Sequence, residues 1–238
     1  KTAGGRGFKT GRWRSRVRDL PEVMGEFPIA TLADEIEEPG EGQVRAFLTI
    51  GGNPALSTPD SGRLETALEN LEFMVSVDIY CNETSRHADV ILPPPSLLER
   101  GHYDTSFANL AVRNVSNYSA PVFEAQGPSE ADILARLALI FGGQGADADP
   151  AQIDDLLVRG MVEGHVANPD SPLHGRDVDD VLAQVANRPG PEAVLDVLLR
   201  MGPYGDGFDD AKEGLSLRLL EDNPHGIDLG ALEPRIPD

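Results

Sequence analysis

The sequence predicts an α/β fold: a mainly parallel sheet with flanking helices, followed by a mostly helical C-terminal appendage. Three observations carry this expectation. Apolar, β-rich runs recur between residues 44 and 92, and the runs stop at Gly, Asn or Pro. A helical pattern separates the first two runs, as a strand–helix–strand crossover requires. From residue 146 onward apolar residues recur at helical spacing, interrupted by Pro, Gly and Asp.

Taken in order, residues 1–43 read as a basic extended arm and linker, rich in Gly and Arg and punctuated by Pro21, Pro28 and Pro39. Ile29, Leu32, Ala33 and Ile36 share one helical face, so a short helix is expected over 29–37. Val44–Ile50 (VRAFLTI) is a strand that ends at Gly51-Gly52-Asn53-Pro54. Asp60 or Ser61 can cap a helix over 62–71, with Leu64, Ala67, Leu68 and Leu71 on its buried face. Phe73–Tyr80 (FMVSVDIY) is the second strand. Asn82-Glu83-Thr84 opens a helical turn, and Asp89–Leu92 (DVIL) is a third strand stopped by three prolines. Another strand is expected near Ala111–Val115. Ser129 caps a helix over 130–141, and helices are expected over 150–163, 178–186, 191–201 and 215–221. These elements divide the chain into an arm (1–43), an α/β domain (44–145) and a helical appendage with an extended tail (146–238). The α/β part is Rossmann-like, and ligands of such sheets sit at the C-terminal ends of the strands.

The 238 residues carry a formal charge of −20, yet Lys1, Arg6, Lys9, Arg12, Arg14, Arg16 and Arg18 precede the first acid. The acidic body repels polyphosphate backbones and anionic membranes, so neither nucleic acid nor membrane is an expected partner. The basic arm could meet a phosphate group or an acidic neighbour, or remain a solvated terminus. Cys81 is the only cysteine, which excludes an internal disulfide framework and a Cys-rich metal site. There is no apolar run of membrane-spanning length and no signal peptide, so a cytoplasmic location is expected.

Several residues at the strand ends carry chemistry. The glycines of Gly51-Gly52-Asn53-Pro54 would let a ligand approach the backbone, and Asn53 offers both a donor and an acceptor; the same loop also reads as an ordinary tight turn. Asp78 interrupts an apolar strand near its end. A carboxylate there can accept two hydrogen bonds from the N1–H and 2-amino edge of a guanine, or it can cap a helix or pair with Arg86 or Arg100. His87 and Asp89 lack a third ligand placed by the sequence, and Glu99, His102 and Asp104 form no hydrolytic constellation. No metal-ligating set is expected.

The run FLTIGGNPALSTPDSGRLETALENLEFMVSVDIYCNETSRHADVILPPPSLLERGHYD, residues 47–104, presents these pieces in one order. A strand ends in GGNP, a helix follows, a strand ends in Asp, then come an E-T turn, ADVILP and an acidic loop. This resembles the third domain of the molybdopterin-guanine-dinucleotide oxidoreductases, the dimethyl sulfoxide reductase superfamily that contains formate dehydrogenases and nitrate reductases. The resemblance implies that Gly52 and Asn53 line the dinucleotide, that Val77 and Asp78 grip its guanine, and that Asn82 stands near the nucleotide. It implies that Arg100 contacts cofactor phosphate or ribose, and that Asp132 is an acidic residue contributed by the next helix. Where the family has Asn-x-Glu-x-Arg, this chain has GHYDTSFANLAVRN, which implies a divergent branch.

The resemblance further implies a piece of a larger oxidoreductase that holds molybdopterin guanine dinucleotide with molybdenum or tungsten, as the bis-dinucleotide form. Other domains of that parent would supply the metal ligand and an iron–sulfur cluster, and its partners would be a small-molecule substrate and an electron carrier. Half a pocket desolvates a large ligand poorly, so the chain alone is expected to be inactive, to hold no cofactor firmly and to self-associate. The alternative reading is a stand-alone, non-catalytic α/β module that binds a nucleotide or a protein.

Overall fold

The computed structural model describes residues 9–105, 107 and 110–232. The chain divides into two compact units, Lys1–Pro94 and Pro95–Asp238.

The first unit opens with a hairpin in the stretch expected to be an extended arm. Its strands, β1 (Thr10–Arg14) and β2 (Pro21–Val23), pair antiparallel. The hairpin closes on charge. Glu22 is fully buried and accepts hydrogen bonds from Arg12 N and Nε, both at 3.1 Å, from the Arg12 Nη2 group and from the Gly25 N–H. Arg14 faces Asp19, Arg16 faces Glu35 and Arg18 faces Asp34, so these four arginines meet carboxylates of their own unit. Lys1 and Arg6 lie outside the described residues.

A 3-10 turn (Ile29–Thr31) leads into α1 (Leu32–Glu37), where one continuous helix was expected. The Thr31 hydroxyl bonds the Pro28 carbonyl at 2.8 Å, which tightens this first turn. Next come β3 (Ala46–Ile50), α2 (Pro54–Ser57), α3 (Ser61–Glu69), β4 (Phe73–Val77), a 3-10 turn (Ser85–His87) and β5 (Val90–Ile91). Asp60 does occupy the N-cap of α3, but in a left-handed conformation and without a capping side-chain bond. Leu64, Ala67 and Leu68 of α3 pack with Met74 of β4, Ile36 of α1 and Ala55 of α2 as the buried core. Each large apolar side chain so buried contributes roughly 1.5–3 kcal/mol.

The three strands form one parallel sheet in the order β3-β4-β5. Ile50 pairs with Val77, the last residue of each strand. Gly51 and Asp78 therefore leave the sheet side by side, which places the two sequence motifs on one rim.

In the second unit β6 (His102–Tyr103) pairs antiparallel with β8 (Tyr118–Ser119), and β7 (Arg113–Ser116) pairs antiparallel with β9 (Ile227–Ala231). The strand expected near Ala111–Val115 is thus present, shifted toward the C-terminus, and does not extend the parallel sheet. The expected parallel sheet is present but small, with three strands. Among the named strands, parallel pairing is confined to β3-β4-β5 and the other three strand pairs are antiparallel; one isolated parallel bridge joins Gly205 and Leu215. β6 and β8 are two-residue strands, and β7 takes its partner β9 from the far end of the chain, so neither pair continues the strand–helix–strand crossovers that build a parallel sheet.

The helices of this unit are α4 (Glu130–Phe141), α5 (Ala151–Ala167), α6 (Val178–Ala183), α7 (Gly190–Met201) and α8 (Leu217–Glu221). The four helices expected from residue 150 onward are present, with loops and β9 between and after them, and α4 has the expected bounds. Val158 and Val162 of α5, Val181 of α6 and Val197 of α7 form one core with Leu173 and Phe208. Leu199 of α7 and Leu217 and Leu220 of α8 form a second around Tyr118.

Candidate functional site

The rim at the ends of β3 and β4 is built from local rules. Gly51 has φ +58, the left-handed region where a glycine carries no Cβ penalty, and its N–H bonds the Val77 carbonyl at 2.9 Å. Gly52 differs: it is exposed, and a Cβ added there would meet nothing nearer than Pro54 Cδ at 3.9 Å. The fold does not require glycine at 52, whereas a ligand lying on the backbone would. Pro54 is the first residue of α2, a position that tolerates its missing N–H and fixed φ. Val77 is buried and acts on this rim through its backbone carbonyl.

Asp78 is buried at 8% exposure. Its Oδ1 accepts the Tyr80 N–H at 2.8 Å and its Oδ2 accepts Asn82 Nδ2 at 2.9 Å. Neither arginine considered as its partner takes that role, since Arg86 pairs with Glu65 and Arg100 with Glu130. The bond to the N–H two residues on is an Asx turn rather than a helix cap. Each carboxylate oxygen accepts one of these bonds and retains further acceptor capacity.

Asn82 sits beneath this carboxylate with its own amide engaged. Its Oδ1 accepts the N–H groups of Thr84 at 3.0 Å and Ser85 at 2.9 Å, while its backbone N–H bonds Ser85 Oγ at 2.8 Å. It orients Asp78. The turn reaches across to the other strand end as well. Thr84, fully buried, donates its hydroxyl to Asn53 Oδ1 at 2.8 Å and accepts the Ala55 N–H at 2.9 Å. Asn53 Nδ2 donates to Glu83 Oε2 at 2.7 Å, and that bond, more than any other contact, holds the Glu83 carboxyl below its usual range. One layer lower, the hydroxyls of Thr49 and Ser76 bond across the strands at 2.9 Å. Sequence reasoning singled out Asn53, Asp78 and Asn82 but not Thr84, Glu83 or Ser85. The E-T turn in the resemblance was the signal that pointed at the first two of these.

Of the residues proposed from sequence, Gly52, Asn53, Val77, Asp78 and Asn82 thus gather on one rim of the first unit. Arg100 and Asp132 belong to the second, where both line a cavity of about 710 Å³ together with Tyr103, Tyr118 and Glu130. Arg100 Nη1 bonds Glu130 Oε2 at 2.6 Å, and its buried Nε has no hydrogen-bond partner among the described residues. Asp132 closes the cap of α4: its Oδ2 accepts the Ser129 N–H at 3.1 Å while Ser129 Oγ accepts the Asp132 N–H at 3.0 Å. Tyr118 donates to Glu192 at 2.9 Å, and burial, then Glu192, pushes the phenol well above its usual range. Burial also raises Asp154, with Asp132 and Asp155 adding to the effect.

Among the described residues no group of three His, Cys, Asp or Glu side chains could hold a metal ion. No helix there is long and apolar enough to cross a membrane.

The sequence pattern of the family described as molybdopterin oxidoreductase matches residues 6–137. The dimethyl sulfoxide/trimethylamine N-oxide reductase of Rhodobacter capsulatus is 30% identical over 124 residues, 47% of this chain and 15% of that protein. The assimilatory nitrate reductase catalytic subunit of Bacillus subtilis is 38% identical over 64 residues, 27% of this chain and 9% of that protein. The F420-dependent formate dehydrogenase subunit alpha of Methanocaldococcus jannaschii is 37% identical over 79 residues, 33% of this chain and 11% of that protein. The matched stretches therefore span between 9% and 15% of the length of these relatives. With more than half of its residues inside the family pattern, and that half containing the whole rim from Gly51 to Ser85, the chain belongs to the molybdopterin oxidoreductase family.

Proposed function

We propose that this chain forms one wall of the guanine-nucleotide pocket of a molybdopterin-guanine-dinucleotide oxidoreductase, on a Rossmann-like strand rim. The observation that carries the reading is Asp78. It is a buried carboxylate at a parallel strand end, held by Tyr80 N–H and Asn82 with acceptor capacity to spare. Guanine offers two adjacent N–H donors on its N1/2-amino edge, and adenine does not, so a fixed acceptor there selects guanine. Gly51 and Gly52 leave open space above the backbone, and Asn53 keeps an amide donor beside it. These are the features a nucleotide needs from such a rim: close backbone approach, a base-reading carboxylate and a polar side chain.

In the second unit Arg100 is the proposed contact to cofactor phosphate or ribose, because its part-exposed guanidinium lines the cavity. Asp132 is assigned to positioning α4, since its carboxylate is engaged with Ser129.

When bound, the dinucleotide brings a molybdenum or tungsten centre whose redox exchange with a small molecule is the reaction of the intact enzyme. The residues of this chain bind, orient and exclude water at the nucleotide end. The proposal stops at the cofactor, because the relatives share the family while their names differ in substrate. The test is analysis of the native protein that contains this chain, with metal quantified and GMP released by acid hydrolysis. Molybdenum or tungsten with about two GMP per metal supports a bis-dinucleotide site. Absence of both metal and GMP from the native protein contradicts the proposal and leaves a nucleotide- or protein-binding module.

A further inference from the structure

We propose that Thr84 is a positioning residue that sets which end of the Asn53 amide faces a ligand. The inference rests on the nucleotide reading of the rim for its consequence, but its geometry stands apart from it.

An asparagine amide has an acceptor end and a donor end that differ little in shape, so only its partners decide which way it points. Here the partners leave one answer. Thr84 Oγ1 receives the Ala55 N–H at 2.9 Å, and Asn53 Oδ1 stands 2.8 Å away. The Ala55 bond uses one lone pair of the hydroxyl; its proton is buried, and Asn53 Oδ1 is the acceptor it has among the described residues, so the amide oxygen is turned inward. On the other side Glu83 Oε2 lies 2.7 Å from Asn53 Nδ2, and an ionised carboxylate only accepts, which turns the amide nitrogen toward it. The second N–H of Nδ2 is then the donor that Asn53 can offer.

The arrangement makes the rim polar in a defined sense. The end of β3 offers a donor through Asn53, and the end of β4 offers an acceptor through Asp78. A flipped Asn53 would instead direct its amide oxygen at Glu83, acceptor against acceptor, and would offer a ligand phosphate or ribose oxygen no donor. Thr84 is 0% exposed, so it cannot contact the ligand itself. It acts through Asn53. The choice of Thr rather than Ser or Val follows from the site: the hydroxyl is required, and the methyl group fills buried space.

The experiment uses ¹⁵N NMR on the 238-residue chain, with the Asn53 side-chain amide assigned by its loss in Asn53→Ala, and GDP and ADP as probes. Thr84→Val keeps the shape and removes both hydroxyl bonds. The expected result is that the Asn53 amide signals shift and their solvent exchange accelerates by about tenfold or more, while Thr84→Ser keeps the wild-type signals. GDP affinity is expected to fall about tenfold in Thr84→Val and less than about threefold in Thr84→Ser. A folded Thr84→Val protein whose Asn53 amide is unchanged overturns the inference, even if the protein is less stable. If Thr84→Val does not fold, Glu83→Gln decides. A glutamine can present either end, so the inference requires that Asn53 stay as in wild type; if its amide is released there, Glu83 holds it and the inference fails. Failure of the wild-type chain to bind GDP would overturn the nucleotide reading alone, because the amide signals still report on Thr84.

Discussion

Asn82 Nδ2 donates to Asp78 Oδ2 at 2.9 Å, and the Asn82 Oδ1 on the same amide accepts two backbone N–H groups of the following turn. The amide is thereby fixed with its donor end toward the carboxylate. Asn82→Asp replaces that donor with a second carboxylate beside Asp78. At pH 7 the variant should lose about 1–3 kcal/mol of stability, from the lost bond and the like-charge contact. Urea unfolding at pH 7 reads this directly: the midpoint of the variant should lie below that of the wild type, whereas Asn82→Ala, which loses the bond without adding a charge, should fall between them.

The two glycines of the rim should respond oppositely to alanine. Gly51→Ala forces a side chain into φ +58 and should cost about 1–2 kcal/mol. Gly52→Ala meets open space and loses backbone freedom in the unfolded chain, so its stability should change by no more than about 1 kcal/mol in either direction. Nucleotide affinity should nonetheless fall in Gly52→Ala, because the added methyl stands where a ligand would approach. Thermal melts together with GDP titrations of both variants separate fold from binding.

Acid should open the first hairpin late. The hydrogen bond from Arg12, assisted by the N–H groups of Gly25 and Arg12, holds the buried Glu22 carboxyl down at about 2. A depressed carboxylate stabilises the fold above its unfolded pKa of 4.5, and that contribution is lost as the pH falls toward 2. Trp13 is the only tryptophan and lies 4.4 Å from the Arg12 guanidinium, so its fluorescence reports locally. The acid transition of the wild type should fall between those two pH values. Glu22→Gln should weaken the hairpin at neutral pH and flatten its pH dependence across that window.

Gly101 and Tyr118 form a tight contact in the second unit. A Cβ at 101 would come within 2.1 Å of the Tyr118 hydroxyl, which donates to Glu192. Gly101→Ala should therefore displace the tyrosine and cost about 1–3 kcal/mol by overpacking. Tyr118→Phe should cost about 1 kcal/mol through the lost bond, and combining it with Gly101→Ala should recover part of the strain. A double-mutant cycle in urea provides the check.

The parts of the fold legible in the sequence are those whose stability is local. Ser129 with Asp132 three residues on, followed by apolar residues at helical spacing, specifies α4 to the residue. The runs around Leu48 and Val75 specify β3 and β4 because both are apolar, although β4 ends at Val77, three residues short of the expected Tyr80, where Asp78 turns its carboxylate back to the Tyr80 N–H. The β1–β2 hairpin was not legible, since its strands carry no apolar alternation and its anchor is a charge pair between Arg12 and Glu22. Neither was the β7–β9 pairing, where Arg113 meets Asp228 across 115 residues of sequence. The site divides in the same way. Asp78 is visible as a charge interrupting an apolar strand. Thr84 looks like any turn residue until the parallel register brings the Asn53 and Asn82 loops together.

The measurement that tests the central claim most directly is an NMR titration of the 238-residue chain with GDP and, separately, ADP. The account predicts weak binding, in the millimolar range for part of a pocket, with GDP shifting the amides of residues 51–54 and 78–85 and ADP doing so far less. Asp78→Ala should abolish the preference for GDP while the spectrum stays that of a folded protein. Equal shifts with both nucleotides, or GDP shifts that persist unchanged in Asp78→Ala, would contradict the assignment of this rim to a guanine.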